Sequence, residues 1–120
     1  MANGKAMLSL LSDEQIVSVL KDQMPALTHN TITDMPTLLE EIDKVRNTGL
    51  SYDNEEHADG ICAVGIPLPI PGQSSHAISV VVPSYRFNDR LPKIKKELLA
   101  TGEECIKILK ATWLQQSKKL

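Results

Sequence analysis

The residues best equipped for chemistry lie in LSYDNEEHADGICAVGIP, residues 50–67. Asp53, Glu55, Glu56, His57 and Asp59 crowd four carboxylates and an imidazole into this short run. Oxygen and nitrogen donors of that kind suit a divalent cation. The spacing, however, matches no HExxH helix, and DNEEHADG lacks the alternating oxygen ligands of an EF-hand loop. A turn accounts for the same residues more simply. Asp53 caps it, Glu56 completes a capping box three positions on, and Gly60 supplies a permissive backbone before the next strand. We therefore expect a solvated acidic turn with no metal; a metal-dependent enzyme built on residues 53–60 is the competing reading.

Nucleophilic catalysis has less support. Cys62 and Cys105 have no neighbouring base in sequence, and both fall where structural thiols are common. Ser79 sits mid-strand, outside any GxSxG elbow. His29 falls in a connector and His76 opens a strand, places where lone histidines are mostly surface residues. MANGKAM holds a glycine and a lysine but is no phosphate-binding loop. The expectation is no catalytic residue, no cofactor and no enzyme.

Composition narrows the class further. The 120 residues suffice for one domain with a modest core. A net charge of -2 gives no electrostatic reason to approach nucleic-acid phosphates, and one Trp, two Tyr and one Phe offer no ladder for stacking bases. Arg90–Lys96 and Ser117–Lys119 read as solvated helix ends. The longest apolar run, Ile61–Ile70, is too short to span a bilayer and contains two prolines. With no CxxC and no signal-peptide pattern, a reduced cytoplasmic protein is expected, without membrane contact.

The elements that must carry these residues follow from periodicity. Asn3–Leu11 is a short helical stretch. LSDEQI starts a second helix, with Ser12 and Gln15 as capping box, Leu11 and Ile16 as staple, and Pro25 as stop. PTLLEEIDKVRNTG is a third, with Leu38, Leu39, Ile42 and Val45 on one stripe, Glu40 paired with Lys44, and Gly49 closing it. Leu50–Tyr52, ICAVGIPL and HAISVVVP then alternate as strands, the last two antiparallel across a PIPGQSS turn. A long helix from about Asp89 carries Leu91, Ile94, Leu98, Cys105, Leu109 and Trp113 at helical spacing. Gly102 interrupts it, which is tolerable if another element packs close there. The fold class is α+β, helices on a small antiparallel sheet, and two or three strands leave that sheet thin and open-edged. If the free N–H groups near Asn3, strand-borne Ser79 and loop-borne Asp53 converge, they surround a pocket for a small polar molecule.

ANGKAML followed by LSDEQI resembles the helix pair in the C-terminal effector-binding domain of IclR-family transcriptional regulators. The resemblance runs through TITDMPTLLEEIDKVRNTGLSYDNEEHADGICAVGIPLP and HAISVVVPSYRF into the final helix, covering nearly the whole chain without gaps. It implies a GAF-like domain that binds a small effector, often an organic acid or aromatic metabolite, and assembles into homo-oligomers. By position it implies effector contacts at the backbone of Ala2 and Asn3, and at Asp53, Ile61, Ala63, Ser79 and Val81. Ala63 stands where many members have cysteine, with Cys62 facing the other way, and Val81 where some have serine. The pocket is thereby more apolar, and the expected ligand has a hydrophobic body and one polar or carboxylate end. The resemblance also implies that the winged helix-turn-helix, the linker helix and the first strands of the effector domain are absent. Residues 1–120 would then be a single, partial effector-binding domain that does not contact DNA by itself. A pure assembly module without ligand is the alternative.

Overall fold

The computed structural model describes residues 2–20, 31–70 and 76–118, the side chains at 113 and 116–118 aside. Pro25, His29, most of the PIPGQSS turn and the Trp113 side chain lie outside the described residues. The elements are α1 (Ala2–Leu8), α2 (Asp13–Leu20), α3 (Met35–Thr48), β1 (Ser51–Asn54), β2 (Ile61–Leu68), β3 (His76–Pro83) and α4 (Ser84–Lys118). The strands form one antiparallel sheet in the order β1-β2-β3, so the α+β layering expected from periodicity is the one observed.

Local chemistry explains the helix ends. The Gln15 N–H donates to Ser12 Oγ at 3.2 Å, and the Ser12 N–H donates back to Gln15 Oε1 at 3.0 Å. Asp34 accepts from the Thr37 N–H at 3.0 Å and from its hydroxyl at 2.6 Å, bonds that hold the Asp34 carboxyl below its ordinary range. Gly49 closes α3 in the left-handed region at φ 77, its N–H donating to the Val45 carbonyl. Lys44 pairs with Glu41 at 3.3 Å rather than with Glu40; spacings of three and four both bring side chains together on a helix.

Two apolar clusters hold the layers. Val64, Ile66, Leu68, Leu50, Ile70 and Leu98 form the larger, between the sheet and α4, and Cys105 and Leu109 pack against it. A β-carbon on Gly102 would lie 2.1 Å from Ile66 Cδ1, so the missing side chain is what lets α4 approach β2. The smaller cluster, Ile16, Leu38 and Ile42, joins α2 to α3, with Leu11 beside it as the staple requires. Arg46 of α3 clamps the turn between α1 and α2. It donates to the carbonyls of Ser9 at 3.3 Å and Leu11 at 2.8 Å, and to the carboxylates of Asp13 and Asp43 at 2.8 Å each.

Two boundaries depart from the periodicity. α4 begins at Ser84, not near Asp89, because β3 runs directly into it and the Ser84 N–H donates to the Gly60 carbonyl at 2.8 Å. β1 is Ser51–Asn54 rather than Leu50–Tyr52, so its pairing with β2 reaches into the acidic run and takes Asp53 into the sheet.

Candidate functional site

Sheet register decides which side chains meet. Asp53 of β1 lies opposite Ala63 of β2, and Ala63 opposite Val81 of β3, in one row across the sheet. Ser51, Gly65 and Ser79 form the next row. Because successive side chains alternate between faces, Ile61 shares the face of these two rows, opposite that of Val64 and Ile66. The expected Asp53, Ile61, Ala63, Ser79 and Val81 therefore stand on one surface. Asp53 reaches it from a strand rather than from a loop.

α1 lies across this face and touches all three strands. Its buried residues include Ala2 and Ala6, small enough to bring the helix backbone close to the sheet. The Ser51 hydroxyl donates to the Ala2 carbonyl at 2.5 Å, which places Ala2 over the Ser51–Gly65–Ser79 row. Gly65 keeps that row open: a β-carbon there would lie 3.2 Å from Ser51 Oγ and 3.3 Å from Ser79 Cβ. Asp53 and Ala63 are buried at 7% and 6%, whereas Ile61 at 40% and Val81 at 62% are exposed. The surface thus has a small-residue floor beneath α1 and an apolar, outward-facing rim. Asn3 is exposed on α1.

The acidic run borders this surface. The Asp53 carboxylate accepts the Glu56 N–H at 2.8 Å, as a cap should, but no capping box forms, because the Glu56 carboxylate turns to Lys5. Lys5 Nζ lies 2.8 Å from Glu56 Oε1 and 2.7 Å from Oε2, and also donates to the Tyr52 carbonyl. Glu55, in the left-handed region at φ 56, accepts the Gly60 N–H at 2.6 Å, and Gly60 is itself left-handed at φ 78. The Asp53 and Glu55 carboxylates are thus engaged within the turn, and that of Glu56 with α1. Among the described residues no three His, Cys, Asp or Glu side chains gather as a metal cluster. Lys5 was invisible to sequence reasoning, since its partners lie about fifty positions away and nothing in NGKAM marks it as buried.

Cys62 faces α4, its Sγ 3.3 Å from Ser84 Oγ and 3.7 Å from Asn54 Oδ1, so it contributes nothing to that surface. A cavity of about 390 Å³ lies on that other side, between β3 and α4, lined by Ile78, Val80, Ile94, Leu98, Thr101 and Cys105. Of the expected contacts only Ser79 borders it.

The family model for the C-terminal part of bacterial IclR transcriptional regulators matches residues 1–106. The chain belongs to the IclR family. Relatives agree with that assignment. The HTH-type transcriptional regulator Rv1719 of Mycobacterium tuberculosis is 42% identical over 99 residues, which cover 82% of this chain and 38% of that protein. TtgV of Pseudomonas putida, another HTH-type regulator, is 35% identical over 98 residues, 82% of this chain and 37% of its own. The chain therefore spans well under half the length of these IclR relatives. Among solved structures, Thermotoga maritima IclR superposes with a TM-score of 0.83 at 28% identity, covering 92% of this chain and 46% of that one. The inducer-binding domain of Acinetobacter PobR, a double mutant in complex with 3-hydroxybenzoic acid, superposes at 0.79 with 26% identity over 88% of this chain and 65% of that one. These relatives are named as transcriptional regulators, and the chain corresponds to the C-terminal part of that family. No described helix is long and apolar enough to cross a membrane.

Proposed function

We propose that residues 1–120 are the sensing part of a transcriptional regulator and bind a small organic acid on the α1 face of the sheet. The observation that carries this reading is the row Asp53–Ala63–Val81, with Ile61 and Ser79 on the same face under the start of α1. Its floor is small and its rim apolar, which suits a ligand with a hydrophobic body and one polar or carboxylate end. Ala63 and Val81 offer no polar side chain to a compact oxoacid. A fold relative held in complex with a hydroxybenzoic acid supports the same ligand class. We assign the backbone at Ala2 and Asn3, and the side chains of Asp53, Ile61, Ala63, Ser79 and Val81, as the contacts. DNA contact belongs to other parts of the regulator, in keeping with the net charge of -2. Cys62 and Cys105 are both free thiols, which suits the reducing cytoplasm in which such a regulator would meet its operator.

Calorimetric titration with aromatic and aliphatic monocarboxylates tests the ligand class. Binding of the larger acids and none of glyoxylate or pyruvate is expected. Tight binding of those two oxoacids with no response to larger acids would contradict the proposal.

A second reading, self-assembly, has its own support. Among the described residues β3 pairs only with β2, leaving an edge of β-branched residues with Val80 and Val81 exposed. α4 adds exposed Leu99, Ile108 and Leu114. We therefore propose that the domain forms homo-oligomers. Light scattering across a concentration series should show mass rising above that of one chain; a constant monomer mass would remove this reading.

A further inference from the structure

Lys5 is the one charged residue of α1, and it is buried, with only 6% of its side chain accessible. Its carboxylate partner Glu56 is nearly as enclosed, at 12%. Nζ straddles both Glu56 oxygens, at 2.8 and 2.7 Å, donates to the Tyr52 carbonyl, and has Glu41 of α3 at 3.9 Å. Glu56 is also bound from two other directions. Its N–H donates to Asp53 Oδ1 at 2.8 Å, and its carbonyl accepts the Thr31 hydroxyl. Lys5 lies one helical turn beyond Ala2, so both side chains point at the sheet. A continuous path therefore joins the two sides of the proposed site: Ala2 and Asn3 on α1, Lys5, Glu56, and Asp53 on β1.

We propose that Lys5 and Glu56 are positioning residues of the effector site, fixing the start of α1 at a set distance and rotation from Asp53. This inference rests on the proposed effector site at those residues. The physical argument lies in what a buried ion pair does badly and what it does well. Desolvating two charges consumes most of their attraction, so a packed apolar pair would hold α1 to the sheet at least as firmly. An apolar contact tolerates sliding and rotation, whereas an ammonium hydrogen-bonded to a carboxylate oxygen and to a backbone carbonyl does so far less. The pair is thus poorly explained as glue and well explained as a spacer between two ligand-contacting walls. Neither residue has to touch the ligand.

The test separates affinity from stability, using the 120-residue chain and 3-hydroxybenzoate as probe. Three variants are compared with the unsubstituted chain by calorimetry and thermal melting: Glu56→Gln, the double substitution Lys5→Met with Glu56→Met, and Ile66→Ala as a destabilised control on the opposite face of the sheet. Glu56→Gln should weaken binding by about tenfold or more, as the loss of other orienting partners does. The double variant should recover most of the melting temperature lost by Glu56→Gln while its affinity stays low. Ile66→Ala should lower the melting temperature and leave the affinity of the folded fraction unchanged. Unchanged affinity in a folded Glu56→Gln or double variant would overturn the proposal, reducing the pair to a structural role. Silence of the folded, unsubstituted chain toward 3-hydroxybenzoate and the other acids would instead overturn the effector reading, and the positioning role with it.

Discussion

The two faces of the sheet are built from different materials. Toward α4 stand Val64, Ile66 and Leu68, each at most 5% exposed, closed over by Leu98 and by the bare backbone of Gly102. Toward α1 stand Ser51, Asp53, Ala63, Gly65 and Ser79, covered by a seven-residue helix whose buried residues are two alanines and one lysine. One face excludes water by aliphatic volume. The other keeps its side chains small, pins its helix by hydrogen bonds and a buried ion pair, and leaves Ile61 and Val81 open. The same strands serve both because their side chains alternate. The aliphatic burial is concentrated on the α4 face, which leaves the α1 face to the proposed effector site.

The sharpest way to break this contrast is to truncate one side chain on the α4 face. Ile66→Ala should cost about 2–5 kcal/mol in urea unfolding, from lost burial plus the cavity left behind. Its effect on effector binding should vanish once the fraction folded is accounted for. Gly102→Ala should cost less, roughly 1 kcal/mol net. Its helix-propensity gain of about 1 kcal/mol is outweighed by displacing Ile66, since overpacking costs about 1–3 kcal/mol. The opposite pattern is expected at the rim of the α1 face. Val81→Ser should change stability by no more than about 0.5 kcal/mol, as other exposed substitutions do. It should nevertheless weaken binding of aromatic acids relative to aliphatic ones in calorimetry.

The smallest effect concerns neither face. Asp34 titrates below its unfolded value because Thr37 donates two hydrogen bonds to its carboxylate. A depressed folded pKa means that this contribution is fully present above the unfolded value near 3.8 and is lost as pH falls through the folded value. Acid unfolding of Asp34→Asn should accordingly lack that part of the pH dependence. A steeper loss of stability in acid for the variant than for the unsubstituted chain would contradict the sign.

What the sequence made legible was local. The Ser12–Gln15 box, the Gly49 stop and the amphipathic stripe of α3 are each decided within a few residues, and each is in place. Gly102 was legible as a close approach, though not its partner Ile66. The resemblance to IclR regulators supplied the family and the fold, and alternation along β2 correctly turned Cys62 away from Ala63. The misplaced features depend on distant partners. Asp53 joins the sheet because Ala63 pairs with it, and Glu56 abandons a local capping box because Lys5 arrives from α1. α4 starts early because Ser84 is tied to Gly60. The cavity between β3 and α4 had no signal at all, since Glu97, Thr101 and Cys105 read as one helical row whose neighbours periodicity does not name.

That cavity makes the decisive measurement available. Methyl groups of alanine, isoleucine and valine mark both faces, so methyl-resolved NMR during titration with 3-hydroxybenzoate reports which face receives the ligand. Shifts are expected at Ile61, Ala63 and Val81, with Val64, Ile66, Ile78 and Val80 nearly unmoved. Shifts confined to Ile78, Val80 and Ile94 would place the ligand between β3 and α4 and contradict the division of labour between the two faces.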